Sequence, residues 1–327
     1  MKIAFWYEVR IRNDGPPLYL KDNAARFKEE YDIDTVKHYI PLEDKIDRYG
    51  DFDLNIWVDF GDDALTESYG IKYGQIRSPS AYWVSDSHVG LDYRIKKAKE
   101  FDYVFVAISS HVPIFKKALG HNKVYWLPHA GEPTVYHKDF VYLSEHLTKN
   151  AFYYGRDYGY WRQHPEKLME KMNRQSLKKY DVCFIGHLNS EHRIDALDTL
   201  FKEFPNFFYS GGGLFFEKAA RKYMDSKLVF NISIGKEANM RAFEVPLTGS
   251  ALLTDEVDDL KKMGFKDGEN VIFYNTMEEA VEKAKYYLEH EDEREEIARK
   301  GQELVLNNHT YKHRLETILK TTKIIKK

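Results

Sequence analysis

SKLVFNISIGKEANMRAFEVPLTGSALLTD, Ser226–Asp255, decides the fold. Leu228–Ile234 is an apolar run of strand length. A loop with Asn239 and Arg241 follows it, then a short segment, Phe243–Leu247, that stops at Thr248–Gly249. Ala251–Leu253 is a second apolar run and a second strand. Strand, loop, short helix and strand form a parallel-sheet unit, and such sheets take ligands at the carboxyl ends of their strands. Arg241 and Glu244 fall at that end. A cation beside a carboxylate suits a ligand that carries both phosphate and hydroxyls.

Working outward, the chain has 327 residues, room for two domains with a core each. Charged residues at 31% and aromatics at 15% describe a soluble globular protein, and a formal charge of −3 offers no footprint for nucleic acid. Cys183 is the only cysteine, which excludes a disulfide and a thiolate metal site; within Val182–Ile185 it reads as a small core residue. The chain opens on the strand-like KIAFWYEV without a signal peptide, and no apolar run nears the ~20 residues that span a bilayer. The expectation is a cytoplasmic protein.

Before residue 130, strands alternate with helices: Lys2–Val9, a helix around Asp22–Tyr31, then strands at Thr35–Ile40, Leu54–Phe60 and Ala81–Val84. SDSHVG leads to a lysine-rich helix around Tyr93–Glu100. The strand Tyr103–Ile108, a helix opened by a serine cap in SSHVPIFKKAL, and the strand Lys123–Leu127 complete the half. Such alternation implies right-handed βαβ units on a parallel sheet. LPHAGEP (127–133) breaks the pattern as a domain crossing would, and NAFYYGRDYGYWRQHP crowds aromatics into an insertion near 134–165. The insertion packs on the body of the protein or offers a platform to an acceptor or subunit.

The alternation then repeats. Asp181–Ile185 is a strand, a helix capped by Ser190 follows, and Asn206–Tyr209 runs into SGGG. Further elements are a helix near Phe215–Met224, a helix near Val257–Met263 and the strand Val271–Tyr274. Thr276 and Glu279 form a capping box for Met277–Glu289, and two helices, near Glu293–Leu306 and Tyr311–Ile325, close the chain. Two Rossmann-like, doubly wound domains facing across a cleft are expected, and such clefts are where ligands bind.

RAFEVPLTGSALLTDE, GENVIFYNTMEEAVEKAKYYL and HTYKHR resemble the C-terminal domain of CgeB-type proteins. These are glycosyltransferase-like proteins of the α/β GT-B fold, related to the retaining group that includes sucrose and glycogen synthases. The resemblance is clearest over 180–314 and extends to KVYWLPHA. It implies an N-terminal acceptor-side domain (1–165), a C-terminal nucleotide-sugar donor domain (166–310) and a final helix (311–327) that crosses back. Glu244, five residues before Gly249, matches the glutamate that takes the donor ribose hydroxyls; the alternative is an ion pair with Arg241. Relatives carry a second glutamate eight residues earlier, where this chain has Lys236, with Glu237 beside it. Arg241 would face the donor diphosphate, and Asn239 lies in the same loop. In FIGHLNSEHR, Gly186 lets the backbone approach a ligand and Arg193 is either a second phosphate contact or a solvated helix residue. Ser210 and Gly212, in the glycine turn after a strand, lie near the base. No GxGxxG or P-loop is present.

The first domain would supply the acceptor side. Asp86 and His88, two apart at a strand's end and read as extended, point the same way. Either would serve an inverting enzyme as base, and His88 would bond the donor sugar in a retaining one. Alternatively, Asp86 caps the next helix and His88 is a satisfied loop histidine. His111 and His129 are further candidates. The thirteen histidines include no metal-ligand spacing, and the resemblance implies a metal-independent reaction without a cofactor.

The sequence thus points to transfer of a sugar from a nucleoside-diphosphate sugar to a hydroxyl of a glycan or protein. The alternatives are a nucleotide-sugar epimerase and a non-catalytic binder. Whether the chain forms a homo-oligomer stays open.

Overall fold

The computed structural model describes residues 1–6, 15–39, 52–59, 76, 78–137, 178–188, 190–211, 214 and 216–324. The aromatic stretch at 150–165, the expected domain boundary after residue 165, and Gly212 lie outside these residues. The chain divides into two compact units, Met1–His129 with Tyr311–Lys327, and Ala130–Thr310.

The first unit is built on six parallel strands: β1 (Lys2–Trp6), β2 (Thr35–Tyr39), β3 (Leu54–Asp59), β4 (Ser80–Val84), β5 (Tyr103–Val106) and β6 (Val124–Trp126). Their order is β2-β1-β3-β4-β5-β6. The connecting helices are α1 (Pro16–Arg26), α2 (Leu91–Ala98) and α3 (Val112–Leu119). β3 and β4 are buried along their whole length, as central strands covered on both faces must be. The first helix starts earlier than the expected Asp22–Tyr31, because Pro16 and Pro17 occupy its first turn, where a fixed φ and a missing N–H favour a start. The expected serine cap on the crossover from β5 to β6 is also absent. Ser109–His111 form a 3₁₀ turn, and α3 begins on His111 with Pro113 in its first turn and no capping side chain.

The closing helix, α11 (Tyr311–Thr321), packs on α1 within the same unit. Tyr311 lies between Tyr19 and Trp83, at 5.0 and 6.3 Å between ring centres. Arg314, buried, donates from Nε to Pro128 O (2.8 Å) and from Nη2 to His129 O (2.9 Å). Burial lowers its pKa to about 10.

The second unit holds β7 (Tyr180–Ile185), β8 (Phe207–Ser210), β9 (Ser226–Asn231), β10 (Ala251–Asp255) and β11 (Ile272–Tyr274), all parallel, in the order β11-β10-β9-β7-β8. Its helices are α4 (Pro133–Tyr136), α5 (Glu191–Glu203), α6 (Phe216–Met224), α7 (Arg241–Leu247), α8 (Asp258–Lys262), α9 (Met277–Glu289) and α10 (Glu291–Asn308). The core is apolar and partly aromatic, with Phe184, Phe230 and Tyr274 in contact. Ser190 stands at the start of α5, but its side chain makes no cap bond. The cap of α9 forms with a shifted partner: Thr276 Oγ1 accepts from Glu279 N (3.2 Å), while the Glu279 carboxylate accepts from Asn275 N (2.8 Å), one residue before the cap.

β9 ends at Asn231, short of the expected Ile234, because the following residues are drawn onto β10. Ser233 donates its amide and its hydroxyl to the Asp255 carboxylate at 2.8 and 2.5 Å. Gly235 and Lys236 then take left-handed conformations (φ 66° and 57°) and turn the chain back. In the strand order, β8 lies on one side of β7 and β9 on the other. The connection therefore reverses at the carboxyl ends of β7 and β9, the position where open α/β sheets bind ligands.

Two outcomes check this architecture. Burial alone would raise the Asp102 carboxyl, yet hydrogen bonds from the Ser78 hydroxyl and from the Ser80 amide and hydroxyl hold it below its ordinary value. A carboxyl depressed in the fold stabilises above its unfolded pKa of about 3.9, and that contribution drains as pH falls through the folded value. Asp102→Asn should therefore cost about 1 kcal/mol at pH 7 and progressively less below about pH 4 in urea melts. In the second unit, a Cβ on Gly186 would come within 2.6 Å of Arg241 Nη2 and 3.0 Å of Phe184 Cζ. Gly186→Ala should lower stability by about 1–3 kcal/mol, the cost of overpacking.

Candidate functional site

The switch point of the second sheet is filled by guanidinium groups. Arg241, the first residue of α7, donates to the carbonyl of Ile185, the last residue of β7. It also donates from Nη1 to Asn231 Oδ1, at the end of β9, at 2.6 Å. Its guanidinium carbon stands 4.7 Å from the centre of the Phe184 ring, within the range of cation–π attraction. One planar, five-donor side chain thus closes the gap between two diverging strand ends. Gly186 serves a close approach, but the group it admits in this fold is the chain's own Arg241 rather than a ligand.

Arg193, in the first turn of α5, spans the same gap further out. It donates from Nη1 to His187 O at 3.1 Å and from Nη2 to Ile232 O at 2.9 Å. The reading of Arg193 as a solvated helix residue is corrected: it is buried, because its two acceptors lie inward of the helix. Burial, followed by repulsion from Arg241, lowers its pKa to about 10; Asp255 and Glu237 oppose the shift. Two fixed cations therefore stand side by side at the carboxyl ends of β7 and β9.

Around them the loop residues are held in place. Asn231 is the hub: its Nδ2 donates to Thr254 Oγ1 (2.9 Å), while its Oδ1 accepts from Arg241 and from Asn239 Nδ2 (3.1 Å). Glu244 lies one turn beyond Arg241 on α7 and is buried. Burial raises the pKa of Tyr223; Arg241 lowers it and Glu244 raises it, which puts both charges beside that hydroxyl. Ser210 ends β8, and its carbonyl accepts from Gly186 N at 3.0 Å. At the degenerate glutamate position the two neighbours differ in exposure. Lys236 is 74% exposed and lies 3.4 Å from Asp255, whereas Glu237 is 8% exposed and close enough to act on Arg193.

In the first unit, Asp86 and His88 follow β4. The segment is a turn rather than extended, closed by Val89 N donating to Asp86 O at 3.0 Å. Burial still alternates: Ser85 and Ser87 are buried, Asp86 and His88 half-buried. Asp86 does not cap α2, whose cap position falls on Gly90 in a left-handed conformation. Ser87 Oγ is hydrogen-bonded to His111 Nδ1 at 2.9 Å. His129 is buried against Trp83, 6.0 Å between rings, and its Nδ1 has no partner among the described residues.

Reading the sequence missed Asn231, Tyr223 and Asp255. Asn231 had a signal, as a polar residue inside the apolar run LVFNI. Tyr223 had none, since a tyrosine on a helix is ordinary.

Comparison with known proteins bears on the fold. The family model described as glycosyl transferase-like matches residues 160–320. Among curated protein sequences none matches. HepE of Anabaena, solved with UDP and glucose, is similar over 99% of this chain and 100% of its own at 14% identity, with a TM-score of 0.63. Sucrose-phosphate synthase from Thermosynechococcus elongatus is similar over 99% and 98% at 9% identity, with a TM-score of 0.57. A glycosyltransferase from Rickettsia africae matches over 99% and 98% at 10% identity, TM-score 0.58. No helix among the described residues is long and apolar enough to cross a membrane. The fold is GT-B, with one doubly wound parallel sheet in each unit.

Proposed function

We propose that the chain is a glycosyltransferase of the CgeB-like kind that moves a sugar from a nucleoside-diphosphate sugar to an acceptor hydroxyl. The observation that carries this is the pairing of Arg241 with Glu244, one turn apart on α7, at the switch point of the second sheet. The glycosyl transferase-like match over the same region supports it. So does the similarity to HepE, which was solved with UDP and with UDP-glucose.

Each group has a stated task. As the bond from the anomeric carbon to the diphosphate breaks, negative charge grows on the departing phosphate oxygen. Arg241 and Arg193, already fixed by protein acceptors, stabilise that charge without reorganising. Glu244, acceptor-only when ionised, takes the ribose hydroxyls. Gly186, Asn239 and Ser210 line the nucleotide, and Glu237, rather than Lys236, is the carboxylate turned toward the donor. Asp86 or His88 receives the acceptor's proton if the reaction inverts the anomeric centre. The reading includes metal-independent turnover, a glycan or protein acceptor and a cytoplasmic setting.

A thermal-shift screen with UDP, GDP, TDP and CDP, and with their sugar conjugates, tests the donor site. A nucleotide at a hundred times its dissociation constant should stabilise the protein by about 2.7 kcal/mol, and Glu244→Ala should abolish most of that. No shift with any nucleotide sinks the transferase reading. Binding without sugar release to any acceptor leaves the non-catalytic binder, and donor turnover without transfer leaves the epimerase. Turnover surviving in EDTA checks the metal-independent part.

A further inference from the structure

The turn that carries Asp86 and His88 rests on a buried ion cluster. Asp59 ends β3 with its side chain 1% exposed, and its Oδ2 lies 2.9 Å from Arg94 Nε. Tyr82 donates its hydroxyl to the same oxygen at 2.5 Å. Lys97 Nζ approaches Oδ1 at 3.5 Å and sits 4.8 and 5.1 Å from the rings of Trp57 and Tyr82. Arg94, on α2, is therefore held on the sheet side of its helix by charge and packing together.

From that seat Arg94 Nη1 donates to the carbonyl of Val89, the last residue of the turn. Ser85, at the turn's start, donates its hydroxyl to the Asp59 carbonyl. One residue of β3 thus anchors both ends of the turn, directly through its backbone and indirectly through Arg94. Gly90, at φ 59°, permits the approach, since a Cβ there would stand 3.3 Å from Arg94 Nη1. A lysine would satisfy Asp59 but not both acceptors at once, because the two bonds leave the guanidinium in different directions.

We propose that Arg94 is a positioning residue, whose guanidinium, seated on Asp59, fixes the Asp86–Val89 turn and with it the placement of Asp86 and His88. The proposal rests on the reading of the first unit as the side that handles the acceptor and its proton. A half-buried turn without this bond samples several conformations, and a displacement of about 1 Å at a reacting group can cost up to about 100-fold in rate.

The test uses the full chain with UDP-glucose as donor and water as acceptor, following UDP release. It adds amide hydrogen exchange over residues 85–90. Arg94→Lys keeps the charge beside Asp59, and Gly90→Ala disturbs the same contact from the turn. Both variants should exchange faster over 85–90 and lose about 10-fold or more in kcat, with KM for UDP-glucose and the UDP thermal shift unchanged. The two sites respond separately, so failure of each reading is distinguishable. If the wild type neither binds UDP nor releases it, the same assay is run with the nucleotide sugar that the thermal-shift screen selects; the transferase reading fails only when none binds, and exchange still reports on the anchor. Unchanged exchange in both variants overturns the anchor. Faster exchange with wild-type kcat overturns the positioning role.

Discussion

The second unit depends on one contact, the Arg241 guanidinium laid across the carboxyl ends of β7 and β9. A doubly wound sheet must reverse direction somewhere, and at the reversal two neighbouring strands send their chains to opposite faces. Their last carbonyls lose the ladder that served them further back, and a buried acceptor without a donor costs about 1–3 kcal/mol. Arg241 donates to the Ile185 carbonyl on one side and to the Asn231 side-chain oxygen on the other, while the Asn231 carbonyl accepts from the Tyr274 hydroxyl at 2.8 Å; Phe184 beneath the guanidinium replaces part of the lost hydration. The surroundings follow from that choice. Residue 186 has to be glycine to leave room, and Asn231 has to present an oxygen while its nitrogen holds β10 through Thr254.

The first unit solves a related problem with the same chemistry. There, Arg94 reaches from a helix to the carboxylate ending β3 and to the carbonyl of the turn after β4. In each unit a guanidinium joins a strand's carboxyl end to a neighbouring connection. Arginine suits this task better than lysine, since its donors are fixed in direction and its charge persists at every accessible pH. Burying such a charge is costly unless its donors are satisfied. Arg241, Arg193 and Arg94 each make more than one bond to protein acceptors. A fixed cation of this kind already stands in place before any ligand arrives.

Much of the fold was legible because its signals are local. Apolar runs of strand length recur between helices, and the strand–loop–helix–strand stretch at 226–255 was read nearly element by element. What escaped was set by side chains meeting across the sheet. The early start of α1 follows from two prolines, a local signal that was passed over. The early end of β9 follows from Asp255 capturing Ser233, twenty-two residues apart in sequence. Of the candidate site, the place of Arg241 and Glu244 after β9 was legible through residue type and the strand–loop–helix pattern, and Gly186 through the family resemblance. Asn231, Tyr223, Asp59 and Arg94 were not, because their roles depend on partners that only the folded sheet brings within reach.

At the loop 235–237 the backbone leaves a regular path, which bears on the degenerate glutamate position. Counting back eight residues from Glu244 assumes a regular path and lands on Lys236. Two successive left-handed residues, Gly235 and Lys236, break that path. They send the lysine outward to Asp255, and the next side chain turns inward beside Arg193. A non-glycine residue with positive φ is disfavoured by roughly 1–2 kcal/mol, so the turn persists only because its surroundings hold it. Asp255 does so, with the Ser233 amide and hydroxyl on one side of the turn and the Lys236 ammonium on the other. Asp255 therefore fixes which of two neighbouring side chains is exposed and which is buried.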